Sequence, residues 1–237
     1  PILSGLVGSE MCIRDRNRNS PVLHIGKITA TNPCGEQPLL PNESCNLGSI
    51  DVAKFVNESS DGINLIDWDE LGRDVKVSIR MLDNVIDANK YAVDAIREMT
   101  HSTRKLGLGV MGFADMLVKL GIPYDTDGAV ELGRKLMKFI QENADEESIN
   151  LGEERGPFPA WHDSKQAKSG GPKYRNACRL TVAPTGTISM IAGASSGIEP
   201  IFSLAYLSLI HISEPTRPER IACCGVWVGK KRGGGGG

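Results

Sequence analysis

The strongest periodic pattern in the chain covers residues 69–89. Its apolar positions recur at steps of three and four residues, which is the spacing of one face of an α-helix. These positions are Leu71, Val75, Ile79, Leu82 and Ile86. The pattern therefore predicts an amphipathic helix that buries this face in a core.

Two further helices are predicted downstream. One covers residues 106–120 and ends at Gly121, a residue type that is common just after helix ends. Its glycines at positions 107, 109 and 112 lower the helix propensity, so we expect this segment to pack closely against another backbone. The other helix starts after Asp127, which is a favourable N-cap residue.

The rest of the chain alternates loop, strand and helix. Residues 152–171 are rich in Pro, Gly, Ser and Lys and are predicted to be loop. Residues 178–183 are predicted to form a short strand, residues 184–187 a turn, and the chain from Ile188 onward a helix or compact turn. Helices that alternate with few strands, without an internal repeat, favour the α/β fold class.

Composition limits the possible functions. The 237 residues carry a net charge of −2, so no basic surface indicates a nucleic-acid partner. The apolar runs are too short to span a membrane, and the first residues do not resemble a secretory signal. The six cysteines are irregularly spaced, which suits a reducing cytoplasm better than a disulfide framework. The sequence thus predicts a cytoplasmic protein without a membrane or nucleic-acid partner.

Reactive side chains concentrate between positions 32 and 45. Asn32, Cys34 and Glu36 carry an amide, a thiol and a carboxylate at alternate positions. In an extended segment alternate side chains point to the same face, so these three groups would converge on one substrate. Another cysteine, Cys45, follows eleven residues after Cys34.

Other interpretations of this segment remain open on residue chemistry alone. A single cysteine near a glutamate is usually inert, because a carboxylate raises the pKa of a thiol. The two cysteines could also form a structural contact or half of a metal site. A metal site is disfavoured, because no nearby histidine or second pair of ligands completes four ligands.

A second candidate site follows the predicted strand at 178–183. The turn at 184–187 and the start of the next helix would gather free backbone N–H groups with the hydroxyls of Thr185, Thr187 and Ser189. This combination can bind phosphate, although such hydroxyls equally serve as ordinary helix caps. Neither a Walker lysine nor the glycine pattern of a Rossmann fold is present, which disfavours the common nucleotide-binding folds.

Longer strings identify a family. Asn-Pro-Cys-Gly-Glu-Gln-Pro-Leu-Leu-Pro at 32–41 and Glu-Ser-Cys-Asn-Leu-Gly-Ser-Ile at 43–50 resemble the finger loop of ribonucleotide reductases. The Pro-Cys-Gly form is most similar to class II enzymes, which use adenosylcobalamin. Residues 104–115 and 182–202 resemble the same family in the same order.

The resemblance implies a role for each matching residue. Cys34 would be the thiyl radical that abstracts the 3′ hydrogen of the ribose, Glu36 the base on the 3′ hydroxyl, and Asn32 a hydrogen-bonding partner of the ribose hydroxyls. Cys45 would be one of two thiols that deliver reducing equivalents. The implied substrate contacts come from two segments, Asn32, Pro33, Cys34, Gly35 and Glu36 in the finger loop and Pro184, Thr185, Gly186, Thr187 and Ile188 at the phosphate.

The same resemblance implies the fold, reaction, cofactor and assembly of the whole enzyme. It would be a ten-stranded α/β barrel, with the finger loop at its centre, that reduces ribonucleoside di- or triphosphates for DNA synthesis. It would use adenosylcobalamin, a thioredoxin- or glutaredoxin-type reductant and a homodimeric assembly. One alternative is a class I large subunit, in which a separate metal-containing subunit generates the radical. The other is a non-catalytic nucleotide-binding α/β fragment.

The ends of the chain differ from its middle. Segments within residues 1–16 and 207–237 resemble translated sequencing-adapter sequence, and the chain ends in five glycines. We therefore predict that residues 17–206 are a partial reductase barrel between two non-native flanks. Cys12, Cys223 and Cys224 lie in these flanks and receive no role. We also expect no turnover by this polypeptide alone, because it would lack the upstream part of the barrel and the thiol partner of Cys45.

Overall fold

A computed structural model of the chain describes residues 15–57 and 64–201. Its strands are β1 Ala30–Thr31, β2 Pro38–Leu39, β3 Asn46–Asp51, β4 Val56–Asn57, β5 Leu65–Ile66 and β6 Leu106–Met111. Its named helices are α1 Trp68–Ala88, α2 Asp94–Thr103, α3 Phe113–Lys119, α4 Asp127–Arg155, α5 Lys165–Lys168 and α6 Gly186–Ala192. None of the helices in these two ranges is both long enough and apolar enough to cross a membrane.

The amphipathic helix predicted at 69–89 is confirmed as α1. The Asp67 side chain caps its first turn by accepting a hydrogen bond from the Glu70 N–H at 2.9 Å. The five apolar positions of the periodic pattern are at most 3% exposed. They pack in the main core between β3, β6 and α4, so burial of this face holds the helix against the sheet.

The prediction of a helix at 106–120 is correct only for the second half of that range. Residues Leu106–Met111 form the strand β6, and helix α3 begins at Phe113. Every residue of β6 is buried, and a strand buried on both faces has a continuous apolar run without the alternation that marks a half-buried strand. The expected close packing is confirmed, because a Cβ on Gly109 would lie 2.8 Å from the backbone oxygen of Thr181.

Strand β6 lies between two other segments. On one edge it pairs in parallel with β3, from Asn46 opposite Leu106 to Asp51 opposite Met111. On its other edge, Leu108 forms a parallel bridge with Leu180. The strand predicted at 178–183 is thus reduced to this single bridge, and α6 begins at Gly186, two residues before the predicted Ile188. The predicted α/β class is confirmed.

The two faces of this small sheet have different neighbours. A Cβ on Gly48 would lie 3.6 Å from the side chain of Leu82 in α1, so Gly48 faces the helices. A Cβ on Gly107 would lie 2.5 Å from both the Gln37 and the Leu47 side chains, so Gly107 faces the hairpin formed by β1 and β2. The sheet therefore separates the helical layer from the hairpin.

The helix predicted after Asp127 is confirmed as α4, although its N-cap is Thr126, whose hydroxyl accepts a hydrogen bond from the Ala129 N–H. It continues to Arg155, so the first four residues of the loop predicted at 152–171 are helical. The remainder of that loop also contains the short helix α5. Gly156, with φ of +84°, ends α4.

A buried ionic cluster joins α1 to the start of β6. Arg104 has φ of +47° and is 3% exposed. Its guanidinium donates to Asp83 at 2.9 Å and to Asp87 at 2.8 Å. The Asn176 side chain also donates to Asp83, at 2.9 Å. Because these groups lie on three separate segments, the cluster fixes where β6 begins relative to α1.

Candidate active site

The finger loop, residues 32–37, is the turn of the β1–β2 hairpin. The Asn32 N–H donates to the Gln37 carbonyl at 3.1 Å, and the Asn32 carbonyl accepts from the Gly35 N–H at 3.0 Å. The Asn32 side-chain oxygen accepts from the Gln37 N–H at 3.0 Å. Gly35 has φ of +81°, a conformation that glycine adopts without strain. Asn32 thus closes the loop at its base.

The extended conformation that the sequence suggested for residues 32–36 is wrong. The segment is a closed turn, so alternation of side chains does not decide which residues share a face. Cys34 and Glu36 nevertheless line one cavity, because the turn carries both toward β3. Asn32, Pro33 and Gly35 are not among the residues that line it.

The cavity has a volume of about 290 Å³ and is formed by three segments of the chain. Cys34 and Glu36 come from the finger loop, and residues 47–49 come from β3. The third segment is the turn before α6, which contributes Ala183, Pro184, Thr185, Gly186, Thr187 and Ile188. The fold therefore brings the two candidate sites of the sequence, 150 positions apart, into one concave site of the size that small ligands occupy.

Glu36 has an unusual environment within this cavity. One carboxylate oxygen, Oε2, is buried and has no hydrogen-bond partner in the described part of the chain. A buried oxygen of this kind is costly unless a ligand or water supplies a donor. The Glu36 carbonyl accepts a hydrogen bond from the Thr181 hydroxyl at 2.9 Å. This contact ties the finger loop to the strand that leads into the turn before α6.

The two finger-loop thiols differ in access. Cys34 is a free, exposed cysteine at the tip of the loop. Cys45 is half-buried immediately before β3, and its sulfur donates to the Asn46 carbonyl at 3.4 Å. Burial raises the pKa of the Cys45 thiol well above its usual range, and the nearby Cys178 raises it further, while Lys105 opposes the change. Cys45 therefore remains a neutral S–H at physiological pH.

The hydroxyls of Thr185, Thr187 and Ser189 lie at the start of α6 and differ in their hydrogen-bond partners. The Thr185 hydroxyl accepts a hydrogen bond from the Gly197 N–H at 2.7 Å, and Thr185 itself has φ of +55°. The Ser189 hydroxyl is buried and bonds to the Gly186 carbonyl and to Ser196. Thr187 is exposed at the cavity and keeps its hydroxyl available for a ligand.

Several residues that shape the site receive no role in the sequence-based prediction. Thr181 bonds the finger loop, and the Gln37 side chain is buried against β6. Lys105 and Glu43 form a buried ion pair close to Cys45. A polar residue inside an apolar run, such as Thr181, was the one available signal. Over the ranges 15–57 and 64–201, no group of three or more His, Cys, Asp or Glu side chains could hold a metal ion.

Comparison with known proteins identifies the family. The profile of the ribonucleotide reductase barrel domain matches residues 11–214. The chain belongs to the ribonucleotide reductase family. This confirms the family suggested by the finger-loop strings. The match extends into both predicted flanks, which lie largely outside the described residues, so the proposed non-native origin of the flanks stays a prediction.

Curated relatives of the reductase family cover most of this chain. The Thermoplasma acidophilum protein named vitamin B12-dependent ribonucleoside-diphosphate reductase is 56% identical over 191 residues, 81% of this chain and 24% of that protein. A Mycobacterium tuberculosis protein of the same name is 53% identical over 82% of this chain and 27% of its own length. A Chlamydia muridarum ribonucleoside-diphosphate reductase subunit alpha is 29% identical over 86% of this chain. The chain thus spans about a quarter of these reductases.

A solved structure shows the same fold. The class Id ribonucleotide reductase alpha subunit of Actinobacillus ureae matches with a TM-score of 0.60 and 24% identity. The match covers 78% of this chain and 33% of that subunit. The predicted membership in an α/β reductase barrel is confirmed by this match together with the family profile.

Proposed function

We propose that this chain is the part of a vitamin B12-dependent ribonucleoside-diphosphate reductase that carries the radical cysteine and the phosphate-binding turn. The observation that carries the proposal is the shared cavity, which Cys34 and Glu36 line together with residues 183–188. The relatives that are 53–56% identical carry this name. The name favours the B12-dependent class over class I, and a diphosphate substrate over a triphosphate.

The proposed reaction assigns one task to each side chain. A Cys34 thiyl radical removes the ribose 3′ hydrogen, and Glu36 accepts the proton of the 3′ hydroxyl. The 2′ hydroxyl leaves as water, while Cys45 and a second thiol supply two electrons and two protons and become a disulfide. Glu36 then returns its proton to the 3′ oxygen, and Cys34 returns a hydrogen atom to C3′ and becomes the thiyl radical again. A neutral Cys45 suits this step, because it holds the proton that must be delivered.

The remaining substrate contacts follow from the two sides of the cavity. The turn at 184–188 would bind the diphosphate, using backbone N–H groups that lack acceptors at the start of a helix. Asn32 does not line the cavity, and its role follows from the family resemblance, in which its amide N–H groups would bond the ribose hydroxyls while its oxygen closes the loop. Pro33 and Gly35 would set the position of Cys34 between these contacts.

Cys34 is the residue at which this chain would meet adenosylcobalamin. The cavity is too small for a corrin ring, but Cys34 is exposed at the loop tip, where a large group outside the cavity can reach its sulfur. When bound, adenosylcobalamin would supply radical chemistry, and Cys34 would present the S–H that gives up its hydrogen atom.

The whole enzyme would need further partners. A disulfide formed at Cys45 in each turnover must be reduced again, which calls for a thioredoxin- or glutaredoxin-type dithiol. Cys34, Cys45 and Cys178 are free thiols in the structure, which suits the cytoplasm proposed as the location. We propose that the full-length protein is a homodimer, as the family resemblance implies.

The test uses a chimera in which residues 30–201 of this chain replace the matching part of the Thermoplasma acidophilum relative. With adenosylcobalamin and a dithiol, the chimera is expected to form deoxyribonucleoside diphosphate. Cys34→Ser should lower kcat by about 1,000-fold or more, because an alcohol O–H is a poor hydrogen-atom donor. Cys178→Ser is the matched control and should keep most of the activity, since Cys178 does not line the cavity. A Cys34→Ser chimera that retains a tenth of the rate would contradict the proposal.

A further inference from the structure

Glu43 and Lys105 form an ion pair inside the protein. The Lys105 ammonium lies 2.7 Å from Glu43 Oε2, and the two side chains are 5% and 0% exposed. Removing both charges from water is costly, and an apolar pair of similar volume often stabilises a fold as well or better. The pair therefore calls for an explanation beyond stability.

Both side chains bind backbone groups of the segment that follows the finger loop, residues 38–40. The Lys105 ammonium donates to the Pro38 carbonyl at 3.2 Å. Glu43 Oε2 accepts from the Leu40 N–H at 2.8 Å. The other Glu43 oxygen accepts from the Thr103 hydroxyl, at the end of α2, at 2.6 Å. The pair thus connects the second strand of the hairpin, β2, to the junction between α2 and β6.

The same pair lies beside Cys45. Glu43 precedes Cys45 by two residues, and Lys105 directly precedes Leu106, which pairs with Asn46 at the start of β3. Lys105 lowers and Glu43 raises the pKa of the Cys45 thiol. Because the two charges act in opposite directions, the intact pair holds the backbone without strongly favouring a thiolate.

We propose that the Glu43–Lys105 pair is a positioning device that holds the finger loop in a fixed place relative to Cys45, which directly precedes β3. The pair acts through the backbone at Pro38 and Leu40, and neither of its side chains lines the cavity that contains Cys34 and Glu36. Its importance for turnover rests on the proposed function, because that reaction uses Cys34 and Cys45 on the same ribose. Its effect on the finger loop does not depend on that reaction.

Hydrogen exchange on the 237-residue chain tests the structural part. In Lys105→Met and in the double variant Lys105→Met/Glu43→Gln, amides of residues 29–40 should exchange about tenfold faster, while those of α1 and α4 keep their rates. The double variant is included because Lys105→Met alone leaves a buried carboxylate without its partner. Lys105→Arg should restore protection. Lys138→Met, which removes an exposed pair with Glu142, is the matched control and should change nothing in residues 29–40.

Three exchange results would overturn the inference. One is unchanged protection of residues 29–40 in both Lys105→Met variants. Another is an equal rise in the amide exchange rates of every helix, which would show a general loss of stability. The third is a wild-type chain without protected helix amides, which would contradict the fold itself.

Activity of the chimera tests the catalytic part. Lys105→Met/Glu43→Gln should lower kcat about tenfold or more and change KM less than about twofold, because the turn at 184–188 is untouched. Lys105→Arg should recover most of the rate. Unchanged kcat in the double variant, with activity abolished by Cys34→Ser, would refute the positioning role and leave the proposed function intact. Activity that survives Cys34→Ser would refute the proposed function instead, whatever the exchange shows.

Discussion

At the scale of single residues, the environment of Glu36 carries most information. Glu36 lines the cavity, and its Oε2 is buried without a donor among the described residues. Its backbone oxygen is fixed by Thr181, so the side chain leaves from a held position. A carboxylate held in this way is suited to receive a proton from a bound hydroxyl.

Replacing Glu36 tests this interpretation. In the chimera, Glu36→Gln should lower kcat by about 100- to 10,000-fold with little change in KM, because the amide keeps the shape but cannot accept the proton. Steady-state kinetics with a ribonucleoside diphosphate measure both constants. Glu70→Gln, on the exposed first turn of α1, is the control. A large rise in KM with unchanged kcat would show that Glu36 binds substrate rather than moving a proton.

Thiol reactivity gives a second test at this scale. At pH 8, iodoacetamide should modify exposed Cys34 well before Cys45, because burial raises the pKa of Cys45 and thiolate is the reactive form. Cys45 should become reactive only in strongly alkaline solution. Peptide mass spectrometry over a pH series follows each cysteine. Equal rates at pH 8 would show that Cys45 is neither shielded nor perturbed.

The reactive residues of the site could be named from sequence, but their arrangement could not. Cys34 and Glu36 were predicted from residue type and from the family strings. Their convergence on one substrate was expected from an extended segment, whereas the positive φ of Gly35 folds that segment into a turn. Lys105 was not predicted, because its partner Glu43 lies 62 positions away and only tertiary folding brings them together.

At the scale of elements, β6 shows why apolar runs are ambiguous. The run from Leu106 to Met111 could be a helix or a buried strand by periodicity. Its glycines decide between them, because Gly107 and Gly109 leave room for the finger loop and for the Thr181 backbone. The helices α1 and α4 were predictable because their buried faces keep the helical period and because Asp67 and Thr126 cap them.

Gly109→Ala tests the close packing of β6. The added Cβ would lie 2.8 Å from the Thr181 backbone oxygen, and backbone cannot move aside cheaply. We expect the free energy of unfolding to fall by about 1–3 kcal/mol in urea titrations. Gly128→Ala in α4 is the matched control, with ordinary contacts of 3.7–3.8 Å, and should be neutral or slightly stabilising. Equal stability of the two variants would contradict the packing described here.

At the scale of the whole molecule, the Arg104–Asp83 cluster sets the relation between the helices and the sheet. Arg104 joins the end of α2 to α1, and Arg155 and Arg175 also approach Asp83, at 3.5 and 3.4 Å. The family profile and the solved structure assign the fold of the chain to a reductase barrel. The sequence predicted that architecture through its family strings, while the ionic cluster that braces it had no signature in the sequence.

Asp83→Ala tests this bracing. Asp83 is fully buried, and its removal takes away a carboxylate that the guanidinium groups of Arg104, Arg155 and Arg175 share. We expect the free energy of unfolding to fall by about 3–5 kcal/mol. Asp94→Ala, which breaks an exposed pair with Arg97, should change it by less than about 0.5 kcal/mol. Denaturation monitored by circular dichroism compares the two variants, and a similar small effect in both would contradict a structural role for the cluster.

The central claim is that the Cys34 sulfur reaches C3′ of a ribose whose phosphates lie at residues 184–188. The most direct measurement is the release of tritium to water from a [3′-³H]ribonucleoside diphosphate by the chimera with adenosylcobalamin. We expect the unsubstituted chimera to retain most of the tritium at C3′ of its product, because Cys34 returns the hydrogen atom that it takes. Cys45→Ser should release tritium without forming deoxynucleotide, and adding Cys34→Ser should abolish that release. Tritium release that continues in the Cys34→Ser/Cys45→Ser chimera would contradict the central claim.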